Sequence, residues 1–136
     1  MKSLEVLIVD DSDIVLFLHT ELLSYSGIST NPLTAINGQI ALDLLHEQAN
    51  PNKHYLVLLD INMPVKDGWQ FLDEINKTEI PINMSVIMIT SSIDQKDKKK
   101  ANEYAQVIGF LEKPLSMESC RELKKLPKIQ HFFTEN

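Results

Sequence analysis

The chain has one cysteine, no long apolar run and no excess of positive charge. A lone thiol, Cys120, excludes an internal disulfide, which fits a reducing, cytoplasmic location. No apolar stretch approaches the roughly 20 residues that a membrane-spanning helix requires. The formal net charge of −6 argues against nucleic acid or an anionic membrane as the principal partner. We therefore expect no direct nucleic-acid contact and no membrane contact.

The 136 residues, 43% of them hydrophobic, suffice for one domain with a substantial core. Short apolar runs recur along the chain: Leu4–Val9, Ile28–Ala35, Tyr55–Leu59, Ser85–Ile89 and Val107–Leu111. Most of these runs are continuous and rich in leucine or β-branched residues, which is typical of strands buried on both faces of a parallel sheet. Pro32 interrupts the second run, so we expect that strand at an edge of the sheet.

The stretches between these runs have helical spacing. In the first, Ile14, Leu18 and Leu22 recur every fourth residue, and Gly27 follows as a helix cap. The other predicted helices are the stretch before Asn50-Pro51, the stretch after Asp67-Gly68, Asp94–Tyr104 and Met117–Leu126. Strands alternating with helices predict a parallel sheet with helices on both faces.

Polar side chains follow the predicted strands where their carboxyl ends should meet. They are Asp10, Asp11, Asp60, Thr90 and Lys113. Helix capping explains any one of them, but it does not explain carboxylates that converge on one rim. Crowded carboxylates repel each other unless a cation compensates, and oxygen-only ligands select a hard ion such as Mg²⁺. A lysine ammonium and a threonine hydroxyl complete the groups needed for phosphoryl transfer to an aspartate.

Five segments, in order and with the right spacing, resemble the receiver domain of two-component response regulators. They are Val-Leu-Ile-Val-Asp-Asp at 6–11, Ala-Ile-Asn-Gly-Gln-Ile-Ala-Leu at 35–42, Leu-Leu-Asp-Ile-Asn-Met-Pro-Val-Lys-Asp-Gly at 58–68, Ile-Met-Ile-Thr-Ser at 87–91 and Gly-Phe-Leu-Glu-Lys-Pro at 109–114. The resemblance implies a flavodoxin-like α/β fold, a doubly wound (βα)5 unit with its five-stranded parallel sheet in the order 2-1-3-4-5. It also implies a signalling protein that catalyses only its own phosphorylation and dephosphorylation.

The resemblance assigns roles to individual residues. Asp60 would accept a phosphoryl group from a phosphohistidine on a sensor histidine kinase or a histidine phosphotransfer protein. Asp10, Asp11 and Asp60 would hold Mg²⁺ together with the backbone carbonyl of Asn62. Thr90 and Lys113 would then bond the phosphoryl oxygens.

The resemblance also implies an output surface. Phe110 occupies the aromatic switch position, and helix 4, strand 5 and helix 5 would form the surface that a downstream protein reads. The Lys113–Pro114 peptide is expected to be cis. Gln106-Val107 stands where the family often has Gly-Ala, which puts the geometry of the fourth helix in question. We expect a receiver domain over 1–126 and a C-terminal tail without an output domain over 127–136.

Three alternatives compete with this interpretation. Asp11-Ser12-Asp13-Ile14-Val15 matches the nucleophile motif of haloacid-dehalogenase-like phosphatases, with Asp11 as nucleophile, but no acidic pair suited to Mg²⁺ follows Lys113. A flavin-binding relative of the fold would need a glycine-rich phosphate loop after the first strand. A receiver used without phosphorylation would leave a costly pocket of buried charge. The histidines, His19, His46, His54 and His131, lack ligand spacing and are predicted to be structural or solvated.

Overall fold

The computed structural model describes residues 2–48, 50–78, 80 and 82–134. Within them, five strands alternate with five helices and a 3-10 turn follows. The elements are β1 (Ser3–Val9), α1 (Asp13–Tyr25), β2 (Leu33–Ala35), α2 (Gly38–Gln48), β3 (Lys53–Asp60), α3 (Gly68–Lys77), β4 (Asn83–Thr90), α4 (Gln95–Ala101), β5 (Val107–Glu112), α5 (Met117–Lys124) and the turn Gln130–Phe132.

The strands form one parallel sheet in the order β2-β1-β3-β4-β5, which confirms the predicted fold. β2 lies at an edge, as the interruption by Pro32 predicted. In the register, Val9 pairs with both Ala35 and Leu59, and Thr90 pairs with Glu112. The carboxyl ends of the strands therefore meet along one rim of the sheet.

The core lies on both faces of the sheet because successive strand residues point to opposite sides. Leu7 and Val9 of β1 belong to the layer packed under α2 and α3. Val6 and Ile8 belong to the layer under α1 and α5. These side chains are almost completely buried. The two layers hold the rim in place from both sides.

The N-cap residues of the helices lie outside the set of predicted site residues. The N-caps of α1, α3, α4 and α5 are Ser12, Asp67, Asp94 and Ser116, and each accepts a backbone N–H from the first turn. Gly27, with φ 77°, follows the end of α1, which confirms its predicted capping position. The aspartates at the ends of β1 and β3 are thus not required as caps.

α1 is a helix, as predicted, and the structure adds which of its faces is buried. Ile14 is 73% exposed and Leu18 is also exposed, whereas Leu16, His19 and Leu23 form the buried face. Both sets of residues have helical spacing, and the sheet covers only one of them. The result is an apolar stripe on the outside of α1.

Three predicted elements are shorter in the structure. β2 begins at Leu33 rather than at Ile28, because Pro32 cannot donate to the ladder. α4 ends at Ala101 rather than at Tyr104, and α5 ends at Lys124 rather than at Leu126.

The chain leaves α4 without a left-handed residue. Asn102 caps the helix in right-handed conformation, and hydrogen-bonded turns continue from it to Val107. Turns therefore connect α4 to β5 although Gln106-Val107 replaces the Gly-Ala that the family often has there.

The tail docks against the end of the sheet opposite the rim. The ring of Phe132 lies 5.4 Å from that of His54, and both Phe132 and Phe133 pack on the α1–α5 layer. Among the described residues, no helix combines the length and the apolar character needed to cross a membrane.

Candidate phosphoryl-acceptor site

Three carboxylates meet at the rim, as the strand ends predicted. Asp10 follows β1, Asp60 is the last residue of β3, and Asp11 is next to Asp10. One oxygen from each lies within 4.8 Å of the others. Asp60 is only 3% exposed and Asp10 is equally buried, whereas Asp11 faces solvent. The site is thus a charged pocket with one open side.

Lys113 reaches this pocket from the loop after β5. Its Nζ lies 2.7 Å from Asp10 Oδ2 and 3.0 Å from Asp60 Oδ2. Its backbone N–H donates to the carbonyl of Thr90 at 2.8 Å, which ties the loop to the end of β4. The Lys113–Pro114 peptide is cis, as predicted. The loop therefore delivers a fixed positive charge between two buried carboxylates.

The carboxylate of Asp60 is only partly compensated. Its Oδ1 accepts the N–H of Asn62 at 3.3 Å, but its Oδ2 has an ion-pair contact to Lys113 without hydrogen-bond geometry. Burial raises the pKa of Asp60 above the ordinary value, Lys113 opposes that rise, and Asp10 adds to it. Burial lowers the pKa of Lys113, but its pairing with Asp10 and Asp60 outweighs burial and the net shift is upward. Among the described residues, Asp60 Oδ2 therefore has the charge of Lys113 beside it but accepts no hydrogen bond.

The donor set fits a hard divalent cation. Oxygen ligands from Asp10, Asp11 and Asp60 are close enough to share one ion, and the ammonium of Lys113 is the only side-chain cation paired with any of these three carboxylates among the described residues. Asn62 is adjacent through its backbone N–H, and its carbonyl remains a predicted ligand.

Gly68 lets α3 begin directly against the backbone of Asp60. A Cβ at this position would lie 2.8 Å from the Asp60 carbonyl oxygen and 3.1 Å from Ile61 Cα. The Gly68 N–H donates to the Ile61 carbonyl at 2.9 Å, which closes the loop between β3 and α3. Close backbone approach of this kind requires glycine. The loop therefore fixes where Asp60 leaves the strand.

Thr90 and Phe110 are outside the carboxylate cluster in this conformation. Thr90 is buried at the end of β4, and its hydroxyl donates to the Ser92 carbonyl at 3.1 Å. Phe110 is half-buried in β5 and lines a groove of about 520 Å³ between α4 and β5. Of the predicted residues, the structure brings oxygens of Asp10, Asp11 and Asp60 within 4.8 Å of one another, pairs Lys113 with Asp10 and Asp60, and places the Asn62 N–H on Asp60.

The sequence analysis did not predict that His19 lies next to the loop that carries Lys113. His19 is buried on α1, and its Nε2 accepts the N–H of Leu115, which lies in the loop that carries Lys113. The available signal was its position between Leu16 and Leu23 on one helical face, which spacing alone did not single out.

Comparison with known proteins gives a single family. The model of the response regulator receiver domain matches residues 6–125. The chain belongs to the response regulator receiver family. The receiver is 33% identical to two-component response regulator ARR22 of Arabidopsis thaliana, over 97% of this chain and 85% of that protein. It is 32% identical to two-component response regulator 24 of the same plant, over 96% and 84%.

Solved structures agree with this assignment. A two-component response regulator from Cytophaga hutchinsonii has TM-score 0.82 at 28% identity and covers 96% of this receiver and 99% of its own chain. A response regulator receiver protein from Dyadobacter fermentans has TM-score 0.78 at 30% identity, over 98% and 100%. The receiver is thus a module of two-component signalling, and the phosphatase alternative is not supported.

Proposed function

We propose that Asp60 accepts a phosphoryl group and that the receiver transmits this modification to a protein partner. The observation that carries the proposal is the buried Asp60 carboxylate, whose Oδ2 lies 3.0 Å from Lys113 Nζ and accepts no hydrogen bond from the residues that the structure describes. Asp10 and Asp11 contribute carboxylate oxygens within 4.8 Å of an Asp60 oxygen. The nucleophile Asp60, the ammonium of Lys113 and the proposed metal ligands therefore share one pocket.

The chemistry follows from these groups. An oxygen of Asp60 attacks the phosphorus of a phosphohistidine, the P–N bond breaks, and its electron pair stays on the imidazole nitrogen. Asp10, Asp11, Asp60 and the Asn62 carbonyl would hold Mg²⁺, which would supply positive charge for the phosphoryl oxygens. Lys113 moves from pairing with a carboxylate to pairing with a phosphoryl oxygen, and it needs little displacement because it already touches Asp60.

An exposed apolar stripe on α1 favours a protein donor that docks beside the pocket. Ile14, Phe17 and Leu18 lie on one face at helical spacing, and Phe17 is 64% exposed. The helix starts at Asp13, three positions after Asp10, so the stripe begins at the rim. Large exposed side chains that cluster in this way mark interaction surfaces. The donor would be a sensor histidine kinase or a histidine phosphotransfer protein.

A comparison within α1 tests this docking. Phe17→Glu should slow transfer from a phosphorylated histidine protein and leave labelling by phosphoramidate unchanged, because the small donor does not touch the stripe. Tyr25→Glu is the matched control, since Tyr25 is also exposed but lies about 12 Å from Phe17 along the axis, at the end of this 13-residue helix that is far from the rim. Equal slowing by both substitutions would contradict the assignment.

The output surface is proposed at α4, β5 and α5. Phosphorylation adds roughly two negative charges at the rim. We expect the Thr90 hydroxyl to leave the Ser92 carbonyl for a phosphoryl oxygen, and we expect Phe110, which lines the groove between α4 and β5, to change its packing in response. α4 is held against α3 by two contacts with the Trp69 ring: Lys100 Nζ lies 5.1 Å from its centroid, and Tyr104, three residues after α4, stacks on it. We expect α4 to shift by changing these contacts. The shift is a change in population between two states of this surface.

Labelling with Mg²⁺ and acetyl phosphate tests the acceptor. The wild type should incorporate phosphate and Asp60→Asn should not, whereas Asp43→Asn, on the exposed face of α2, should be labelled normally. Full incorporation by Asp60→Asn would exclude Asp60 as the acceptor. Beryllofluoride loading should move amide signals at Phe110 and α4, and unchanged signals there would exclude the output surface.

The remaining predictions belong to the same proposal. The receiver would catalyse only its own phosphorylation and dephosphorylation, and it would act from the cytoplasm. One relative is named as an enzyme: a protein-glutamate methylesterase/protein-glutamine glutaminase of Clostridium acetobutylicum is 34% identical over 93% of this chain. The match covers only 34% of that protein. Hydrolysis of a substrate other than the phosphoaspartate would contradict a purely signalling role.

A further inference from the structure

His19 is a polar residue on the buried face of α1. It is 2% exposed, and the neighbouring positions on that face are Leu16 and Leu23. A leucine would fill such a site without desolvating a ring nitrogen. Burial of an unpaired polar group is costly, so the imidazole is expected to have a specific partner.

The partner is the backbone of the loop that carries Lys113. The N–H of Leu115 donates to His19 Nε2 at 3.4 Å, across 96 positions of sequence. Two residues earlier, the N–H of Lys113 donates to the Thr90 carbonyl at 2.8 Å. The segment from Lys113 to Leu115 is therefore held at one end by β4 and at the other by α1.

The contact defines the chemical state of the ring. An Nε2 that accepts a hydrogen bond has a free lone pair, so the proton of the neutral imidazole is on Nδ1. Burial lowers the pKa of His19, Asp10 opposes this effect, and Lys113 reinforces it. The neutral, accepting form is consistent with that environment.

We propose that His19 is a positioning residue for Lys113: by accepting the Leu115 N–H, it fixes the loop that aims the ammonium at Asp60. The inference rests on the proposed phosphorylation of Asp60. His19 acts through the loop and does not touch the phosphoryl group. Loss of the bond should allow the loop to shift, which lowers the rate of transfer while the carboxylates remain intact.

Substitutions at His19 separate the hydrogen bond from packing. His19→Leu keeps an apolar filler and removes the acceptor, whereas His19→Gln places an oxygen the same number of bonds from Cα as Nε2. With acetyl phosphate at saturating Mg²⁺, we expect the labelling rate of His19→Leu to fall roughly fivefold and that of His19→Gln to stay near wild type. Mg²⁺ affinity should be unchanged in both variants, since neither alters a ligand.

His54→Leu is the matched control. His54 is also partly buried and bonded, through Nε2 to Ser85 Oγ at 2.8 Å, but it lies at the opposite end of the sheet. It should be labelled at the wild-type rate. A ¹⁵N spectrum of the wild type should show His19 protonated at Nδ1 and unprotonated at Nε2.

Each outcome decides between defined alternatives. Equal rates for wild type and His19→Leu overturn the positioning role, and so does a His19→Gln rate as low as that of His19→Leu. Should His19→Leu fail to fold, His19→Asn takes its place, because its amide is one bond too short to reach Leu115. If the wild type itself takes up no phosphate, the proposed function fails; if only the His19 comparison fails, Asp60 remains the acceptor.

Discussion

The ammonium nitrogen of Lys113 lies 3.0 Å from Oδ2 of Asp60, and both groups are shielded from solvent. Lys53 and Glu5 form an ion pair of the same length, 3.0 Å, but Lys53 is 36% exposed. The two pairs differ in what remains when the lysine is removed. Without Lys113, the carboxylates of Asp10 and Asp60 stay buried with no cation, whereas Glu5 can be hydrated.

Replacing Lys113 by methionine should therefore lower the free energy of unfolding without Mg²⁺ by roughly 1–3 kcal/mol. Lys53→Met should have a smaller effect, because the Lys53–Glu5 pair is reached by solvent more than the Lys113–Asp60 pair and leaves a less buried carboxylate behind. Added Mg²⁺ should restore part of the loss in Lys113→Met, because it supplies the missing charge. Urea unfolding with and without Mg²⁺ measures both effects, and equal losses in the two variants would contradict this account.

Lys113→Met should also uncouple modification from response. Mg²⁺ ligands are intact in this variant, so beryllofluoride with Mg²⁺ should still load Asp60, while the amide signals of Phe110 and α4 should shift less than in the wild type. A complete shift would mean that Lys113 is dispensable for switching. Absence of loading would assign Lys113 to binding instead.

Asp60→Asn should stabilise the metal-free protein. Because burial raises the pKa of Asp60 in the folded state, the folded protein binds this proton more tightly than the unfolded chain does. The stability that this proton contributes is fully present when the pH is below 3.8, the pKa of the unfolded chain, and it is lost as the pH rises through the higher pKa of the folded state. At neutral pH the charged Asp60 is thus a cost, and asparagine removes it.

We expect Tm of Asp60→Asn to rise by roughly 3–5 °C at pH 7 without Mg²⁺. The difference from wild type should shrink with Mg²⁺, which binds the wild-type carboxylate. It should also shrink as pH falls, because the wild-type group becomes neutral. A Tm below that of wild type at pH 7 would contradict the upward pKa shift.

Gly68→Ala should impair the site through the backbone. The added methyl would meet the Asp60 carbonyl at 2.8 Å, so either β3 or α3 has to move. We expect slower acetyl phosphate labelling and a loss of roughly 1–3 kcal/mol in the free energy of unfolding. Gly109→Ala is the control, because its nearest atom, Leu126 Cδ1, lies at an ordinary 3.8 Å. Equal effects of the two substitutions would remove the steric explanation.

The rim was predictable because parallel strands place their carboxyl ends together. Asp10 and Asp60 each follow a continuous apolar run, and Lys113 follows another, so strand order alone brought them to one edge. The structure adds what spacing cannot contain: Lys113 pairs with both carboxylates, and the Thr90 hydroxyl bonds Ser92 instead. The latter depends on local loop geometry.

The facing of α1 was not predictable from periodicity. The helix has two stripes at helical spacing, one with Ile14 and Leu18 and one with Leu16, His19 and Leu23. The purely apolar stripe is the natural choice for a core, yet the stripe that contains a histidine is buried. Its histidine is accommodated by the Leu115 N–H, a partner from a distant part of the chain. Only tertiary structure supplies that compensation.

Tyr104 offers a measurable reporter of the α3–α4 contact. Its hydroxyl donates to Asp73 Oδ1 at 2.6 Å, and its ring stacks on Trp69 at 5.6 Å between centroids. Burial, reinforced by Asp73, raises the pKa of Tyr104 from 10.0 to about 12. The folded state therefore holds this proton more tightly, and the associated stability is present below pH 10.0 and lost as pH rises toward 12.

Asp73→Asn should lower the pKa of Tyr104 but leave it above 10.0, because burial is the larger cause and remains. The phenolate absorbance assigned by comparison with Tyr104→Phe measures the change, and Asp43→Asn should leave that titration unaltered. We also expect the alkaline loss of stability to begin at lower pH in Asp73→Asn than in wild type. Titration of Tyr104 near 10.0 in the folded wild type would mean that α4 does not hold this residue against α3 in solution.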